Sequence, residues 1–162
     1  MRAVVLDLPD AAATMRAGSA LAAALAGGMV VTLDGDLGAG KTTLVRGVLR
    51  ARGVTGAIKS PTYALVEHYP LSSIYFYHID FYRFDNPDEW ETSGLAECFR
   101  DDTVCLIEWP RRVASRLPPA DLALTLAPAG EGRTLTARAG SAAGERCVAA
   151  IVHAFPAATP AT

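Results

Sequence analysis

The chain has 162 residues, 51% of them hydrophobic and 20% charged, with a formal net charge of −2 at pH 7. That is enough for one globular domain with a full sheet and core, and no apolar run reaches the roughly 18 residues of a membrane span. The slight acidity argues against a self-sufficient nucleic-acid binder, which needs a concentrated basic face, so any role involving RNA is expected to be indirect.

In chain order, "AVVLDL" (3–8) reads as a strand, and residues 10–26 as an Ala-rich helix that starts at Asp10 and is closed by Gly27-Gly28. This stretch lacks the long apolar core and small-residue cleavage site of a signal peptide, which predicts a cytoplasmic protein. The run Met29-Val30-Val31-Thr32-Leu33 is apolar and β-branched, as a buried strand requires. Directly after it, "GDLGAGKTTL" (35–44) carries Gly35, Gly40, Lys41 and Thr42 at the spacing GxxxxGK[ST] of a phosphate-binding loop. Glycines let successive N–H groups turn toward one anion, and the following helix adds its positive end. Lys41 supplies a point charge for the β- and γ-phosphates. Thr42 places a hydroxyl on Mg²⁺, which takes oxygen ligands in an octahedron shared with phosphate oxygens and water. Leu44, Val45, Val48 and Leu49 then recur at helical spacing, and Gly53 offers a stop. The motif therefore stands between a buried strand and a helix, the context its chemistry needs.

"GVTGAIKSPTYALVEHYP" (53–70) begins as a Gly- and Pro-marked loop and turns β-like. The alternating, aromatic "SIYFYHIDFYRF" (73–84) predicts a strand that pairs with 63–69 as a hairpin across "PLSS". "NPDEWETSGLAECF" offers Asn86 as an N-cap and Pro87 as a first helical residue. "DTVCLIEW" (102–109) has the continuous apolar character of a buried parallel strand. "DLALTLAP" and "RTLTARA" form a late strand pair around "AGEGR", residues 144–154 a closing helix, and "FPAATPAT" (155–162) a disordered tail. Cys98, Cys105 and Cys147 show neither a CxxC pair nor zinc spacing, and His68, His78 and His153 form no metal-ligand pattern. Packed thiols and structural histidines are the expectation.

Hydrolysis needs an acid near Mg²⁺ and a group that orients the attacking water. Two carboxylates end apolar strands, Asp80 in "YHID" and Glu108 in "CLIEW". Glu108 is the better metal-side candidate, because ligands in open α/β sheets collect at the carboxyl ends of parallel strands; a structural acid is its alternative. Asp80 either orients water or pairs with Arg83 or Arg111. "KSPTY" (59–63) lies where GTP-dependent switches carry the threonine that senses the γ-phosphate, here Thr62. Pro61 biases Ser60 toward an extended conformation, and a simple ST-turn is the competing reading. Trp109 is either core or a docking surface.

"GDLGAGKTT", "KSPTY", "YHIDFYRF" and "LIEWP" follow one another in this order and together resemble the bacterial TsaE (YjeE-like) family, the P-loop ATPase of tRNA threonylcarbamoyladenosine biosynthesis. The resemblance extends from the N-terminal strand to Gly132-Arg133. It implies an α/β fold: a single P-loop NTPase-like domain over 1–154 whose central mixed sheet, parallel strands plus an antiparallel hairpin, is flanked by helices. It also implies a protein that binds ATP and Mg²⁺ and acts with the TsaB and TsaD subunits, meeting tRNA only through that complex. By motif, Gly35-Asp36-Leu37-Gly38-Ala39-Gly40-Lys41-Thr42-Thr43 and Arg133 would hold the nucleotide, and Thr42 and Glu108 the Mg²⁺. Lys41, Thr62, Asp80 and Glu108 would act at the reacting phosphate. The chain departs from the family pattern in its plain N-terminal helix, where adenine contacts would fall near Thr14, and in its short, acid-free hairpin turn. A guanine-reading NKxD motif is absent from the sequence. A small-molecule kinase or a nucleotide-gated interaction module without catalysis are the alternatives.

Overall fold

Apolar alternation builds a mixed sheet in the computed structural model, which describes residues 1–61 and 64–162. Its strands are β1 (Ala3–Leu8), β2 (Val30–Asp34), β3 (Val66–Pro70), β4 (Tyr75–Asp80), β5 (Thr103–Glu108), β6 (Leu122–Ala129), β7 (Gly132–Ala139) and β8 (Thr159–Pro160), in the order β3-β4-β5-β2-β6-β7-β1-β8. The run β4-β5-β2-β6 is parallel, and antiparallel strands extend it on both sides. The helices are α1 (Ala11–Ala22), α2 (Lys41–Ala51), α3 (Glu89–Ser93) and α4 (Ala142–Ala154).

Because side chains alternate along a strand, β2, β4 and β5 each serve two cores. Val31 and Leu33 of β2, Phe76 of β4, and Val104 and Leu106 of β5 pack with α1, α2 and α4. Val30, Ile79, Cys105 and Ile107 point the other way, toward Phe81, Trp90 and Leu95. The same alternation carries His78 and Asp80 onward from Phe76, and Glu108 onward from Leu106, to the α2 side of the sheet. β5 is buried along its whole length, which explains its unbroken apolar run.

α1 and α2 approach closely at two glycines. A Cβ on Gly18 would lie 2.2 Å from the Leu44 carbonyl oxygen, and one on Gly47 would lie 2.2 Å from that of Met15. Gly47→Ala is therefore expected to push the helices apart and cost about 1–3 kcal/mol, outweighing alanine's helix propensity of about 1 kcal/mol. Urea unfolding of the two proteins measures the difference.

Four expectations meet the structure differently. Asp10 caps α1 by accepting from Ala13 N at 2.8 Å, but the helix stops at Ala22, short of residue 26. There Arg52 Nη1 donates to the Ala22 carbonyl at 3.0 Å and satisfies the helix end early. Asn86 does not cap α3. Its Oδ1 accepts from Asp88 N at 2.9 Å in a local turn, and the N-cap is Asp88. β4 ends at Asp80 because Phe81 N turns to the Glu108 carbonyl (3.1 Å). The tail 155–162 is not without structure: β8 pairs with β1, and Ala161 N donates to Ala3 O at 3.0 Å, filling the free edge of β1. The three cysteines are free. Burial pushes the Cys105 thiol up to about 12 and Cys147 up to about 11, so both stay packed thiols at neutral pH.

Candidate nucleotide site

The carboxyl ends of β2, β4 and β5 lie side by side, with Leu33 in register with Glu108 and Glu108 with Asp80. Directly after β2 the chain curls through the glycine loop into α2. Gly40 takes φ 105°, and no side-chain hydrogen bond caps the helix, which leaves its first-turn N–H groups for another acceptor. A side chain at position 40 would also meet Arg133, whose Nη1 would lie 2.5 Å from its Cβ. Loop residues 37–43, Ser60, Asp80, Glu108, Trp109 and Arg133 surround one pocket of about 250 Å³. Gly35 and Asp36, expected to hold the nucleotide, do not line it.

Lys41 is 5% exposed. Its ammonium donates to the carbonyls of Gly35 and Asp36 and lies 4.4 Å from the centre of the Trp109 ring. Burial pushes it below the usual lysine range, against the pull of the Glu108, Asp80, Asp34 and Asp36 carboxylates. The lysine is thus folded back on its own loop, on contacts that a phosphate can replace with stronger charge-assisted ones.

Glu108 and Asp80 are nearly as buried, at 3% and 4% exposed. Thr42 Oγ1 donates to Glu108 Oε2 at 3.3 Å, and His78 Nε2 lies 2.6 Å from the same oxygen. Asp80 Oδ1 accepts from Tyr82 N at 2.7 Å. Of the two arginines considered for Asp80, Arg111 pairs with Asp34 instead, Nε to Oδ2 at 2.7 Å. Asp34 Oδ1 accepts from Gly35 N at 3.0 Å, so this ion pair ties the segment after β5 to the start of the loop. Among the described residues no group of three His, Cys, Asp or Glu side chains could hold a metal. One hydroxyl and one carboxylate, converging beside a phosphate loop, instead fit Mg²⁺, which keeps waters and takes phosphate oxygens.

Trp109 belongs to this pocket rather than to an outer surface alone. It adopts φ 56°, uncommon for a bulky residue, which turns its ring to Lys41 and to Tyr82, 5.1 Å away. Thr62 lies outside the described residues. Thr14 is fully buried and its hydroxyl donates to Asp10 O at 3.2 Å, so its side chain serves packing and not the pocket. Sequence reasoning gave His78 a structural role without its Glu108 partner, and weighed Arg111 for Asp80 where the structure pairs it with Asp34. His78 was findable from its two-residue step to Asp80, whereas Arg111 depends on the turn at Trp109, which no local pattern announces.

The family model described as "Threonylcarbamoyl adenosine biosynthesis protein TsaE" matches residues 8–135. A Haemophilus influenzae protein named "tRNA threonylcarbamoyladenosine biosynthesis protein TsaE" is 47% identical over 98 residues, 60% of this chain and 62% of that protein. Proteins of the same name from Bacillus subtilis and Treponema pallidum are 40% identical over 104 residues and 37% over 132. The alignments span 64% of this chain and 65% of the Bacillus protein, and 82% of this chain and 95% of the Treponema protein. Thus the chain matches just under two thirds of the Haemophilus and Bacillus relatives' length and nearly all of the Treponema one. The crystal structure of Bacillus subtilis YdiB superposes with a TM-score of 0.80 at 28% identity, covering 94% of this chain and 95% of that one.

Proposed function

The chain belongs to the TsaE family, and from that premise we propose that it binds and hydrolyses ATP for a complex that makes N6-threonylcarbamoyladenosine in tRNA. The observation that carries this reading is the convergence of Lys41, Thr42, Asp80 and Glu108 on one pocket, beside an uncapped helix N-terminus. The loop N–H groups and Lys41 bind the phosphates, and Arg133 reaches the loop from β7. Thr42 and Glu108 form the oxygen pair that would hold Mg²⁺, which when bound supplies charge neutralisation to the β- and γ-phosphates. Asp80 orients the attacking water and accepts its proton, a role that its burial beside Lys41 suits. Thr62, which falls in sequence between α2 and β3, is proposed to sense the γ-phosphate.

Lys41 must leave the Gly35 and Asp36 carbonyls and the Trp109 ring before it can meet phosphate. A chain with this rearrangement ahead of it is expected to turn over slowly alone and faster when a partner holds the rearranged state. The proposed partners are the TsaB and TsaD subunits, and the slight acidity of the chain supports contact with tRNA only through them. Phosphate release is measured for the chain alone and then with TsaB, TsaD and tRNA. Stimulation of about tenfold or more is expected, as ordering of the reacting groups allows. Equal rates with and without the partners would overturn the coupling.

A further inference from the structure

Resting on the Mg²⁺ site proposed above, we infer that His78 is the positioning residue of that site, its Nε2–H holding the Glu108 carboxylate against Thr42. His78 is fully buried and Glu108 is 3% exposed, and the two meet at 2.6 Å. Two bare lone pairs cannot sit that close, so a proton lies between them; we assign it to Nε2, donating to the Glu108 Oε2 that also accepts from Thr42 Oγ1. Both bonds therefore fall on one oxygen, and Oε1 stays outside them.

The other ring nitrogen shows what the histidine is there for. His78 Nδ1 is buried and finds no hydrogen-bond partner among the described residues. A phenylalanine would fill similar space with no orphaned atom, whereas an unpaired buried polar group costs on the order of 1–3 kcal/mol. The ring bears that cost for the sake of Nε2. Without Nε2–H, a carboxylate at the end of a flexible glutamate would keep only the longer bond from Thr42, and its aim toward a cation would blur. Groups that orient a metal ligand in this way typically change metal affinity by about 10–100-fold when removed.

The test titrates a fluorescent ATP analogue with Mg²⁺ and with EDTA into the wild-type chain, His78→Gln and His78→Asn. A Gln side chain carries its amide nitrogen out to the reach of Nε2, and an Asn side chain stops near Nδ1, short of Glu108. The gain in affinity that Mg²⁺ brings should fall about tenfold in His78→Asn and stay within about threefold in His78→Gln, with the EDTA affinities of all three alike. If Asn at this position unfolds the chain, His78→Leu, which fills the space without a donor, takes its place. A full Mg²⁺ gain in the donor-free variant would overturn the inference, as would an equal loss in His78→Gln. A wild-type chain that binds the analogue equally well in EDTA would instead sink the Mg²⁺ site itself, and the inference with it.

Discussion

Lys41→Ala is expected to bind ATP about a hundredfold more weakly than the wild-type chain, a loss of about 3 kcal/mol. Among the described residues the ammonium is bonded to the Gly35 and Asp36 carbonyls and faces Trp109, contacts that phosphate would replace. Its burial already works against its charge. Removing it therefore takes away a cation held for an anion rather than a prop of the core, and the urea midpoint should stay near wild type. Titration with a fluorescent ATP analogue reads the first quantity, and unfolding in the absence of nucleotide reads the second. Unchanged nucleotide affinity would mean that the loop is not the binding site.

Asp80→Asn is expected to lower partner-stimulated turnover by about 10²–10³-fold while leaving ATP affinity within about threefold, the signature of a group that acts in the transition state. Asn can still accept from Tyr82 N, the bond that Asp80 Oδ1 makes at 2.7 Å, so the end of β4 should keep its shape. What it loses is the negative charge proposed to take a proton from water. Glu108→Gln, one strand away in register, should do the reverse in binding: Mg²⁺-supported affinity falls and affinity in EDTA does not. Single-turnover rates and analogue titrations of both variants separate the roles. One shared defect in both assays would show that the two carboxylates do not divide the work.

The loop, its strand and its helix were legible because local chemistry dictates them: β-branched residues, four residues at fixed spacing, then helical periodicity from Leu44 to Leu49. The pairing of Asp80 with Glu108 was half legible. Each was read as ending an apolar strand, but their adjacency depends on β4 lying beside β5, which chain order alone does not specify. The lysine's inward fold and the turn at Trp109 were not legible, since a positive φ at tryptophan is held by tertiary contacts against the residue's own preference. The tail escaped for a similar reason. "FPAATPAT" has the composition of a disordered end, yet β1 offers it a free edge, and that edge exists only once β7 has taken the other side.

A phosphate site coupled to partners should make nucleotide state and partner affinity depend on each other. The direct measurement is the affinity of this chain for TsaB and TsaD in the presence of a non-hydrolysable ATP analogue and, separately, of ADP. Tighter binding with the analogue is predicted, by a coupling on the order of 1–3 kcal/mol, or about 5–150-fold. Equal affinity in the two nucleotide states would contradict it.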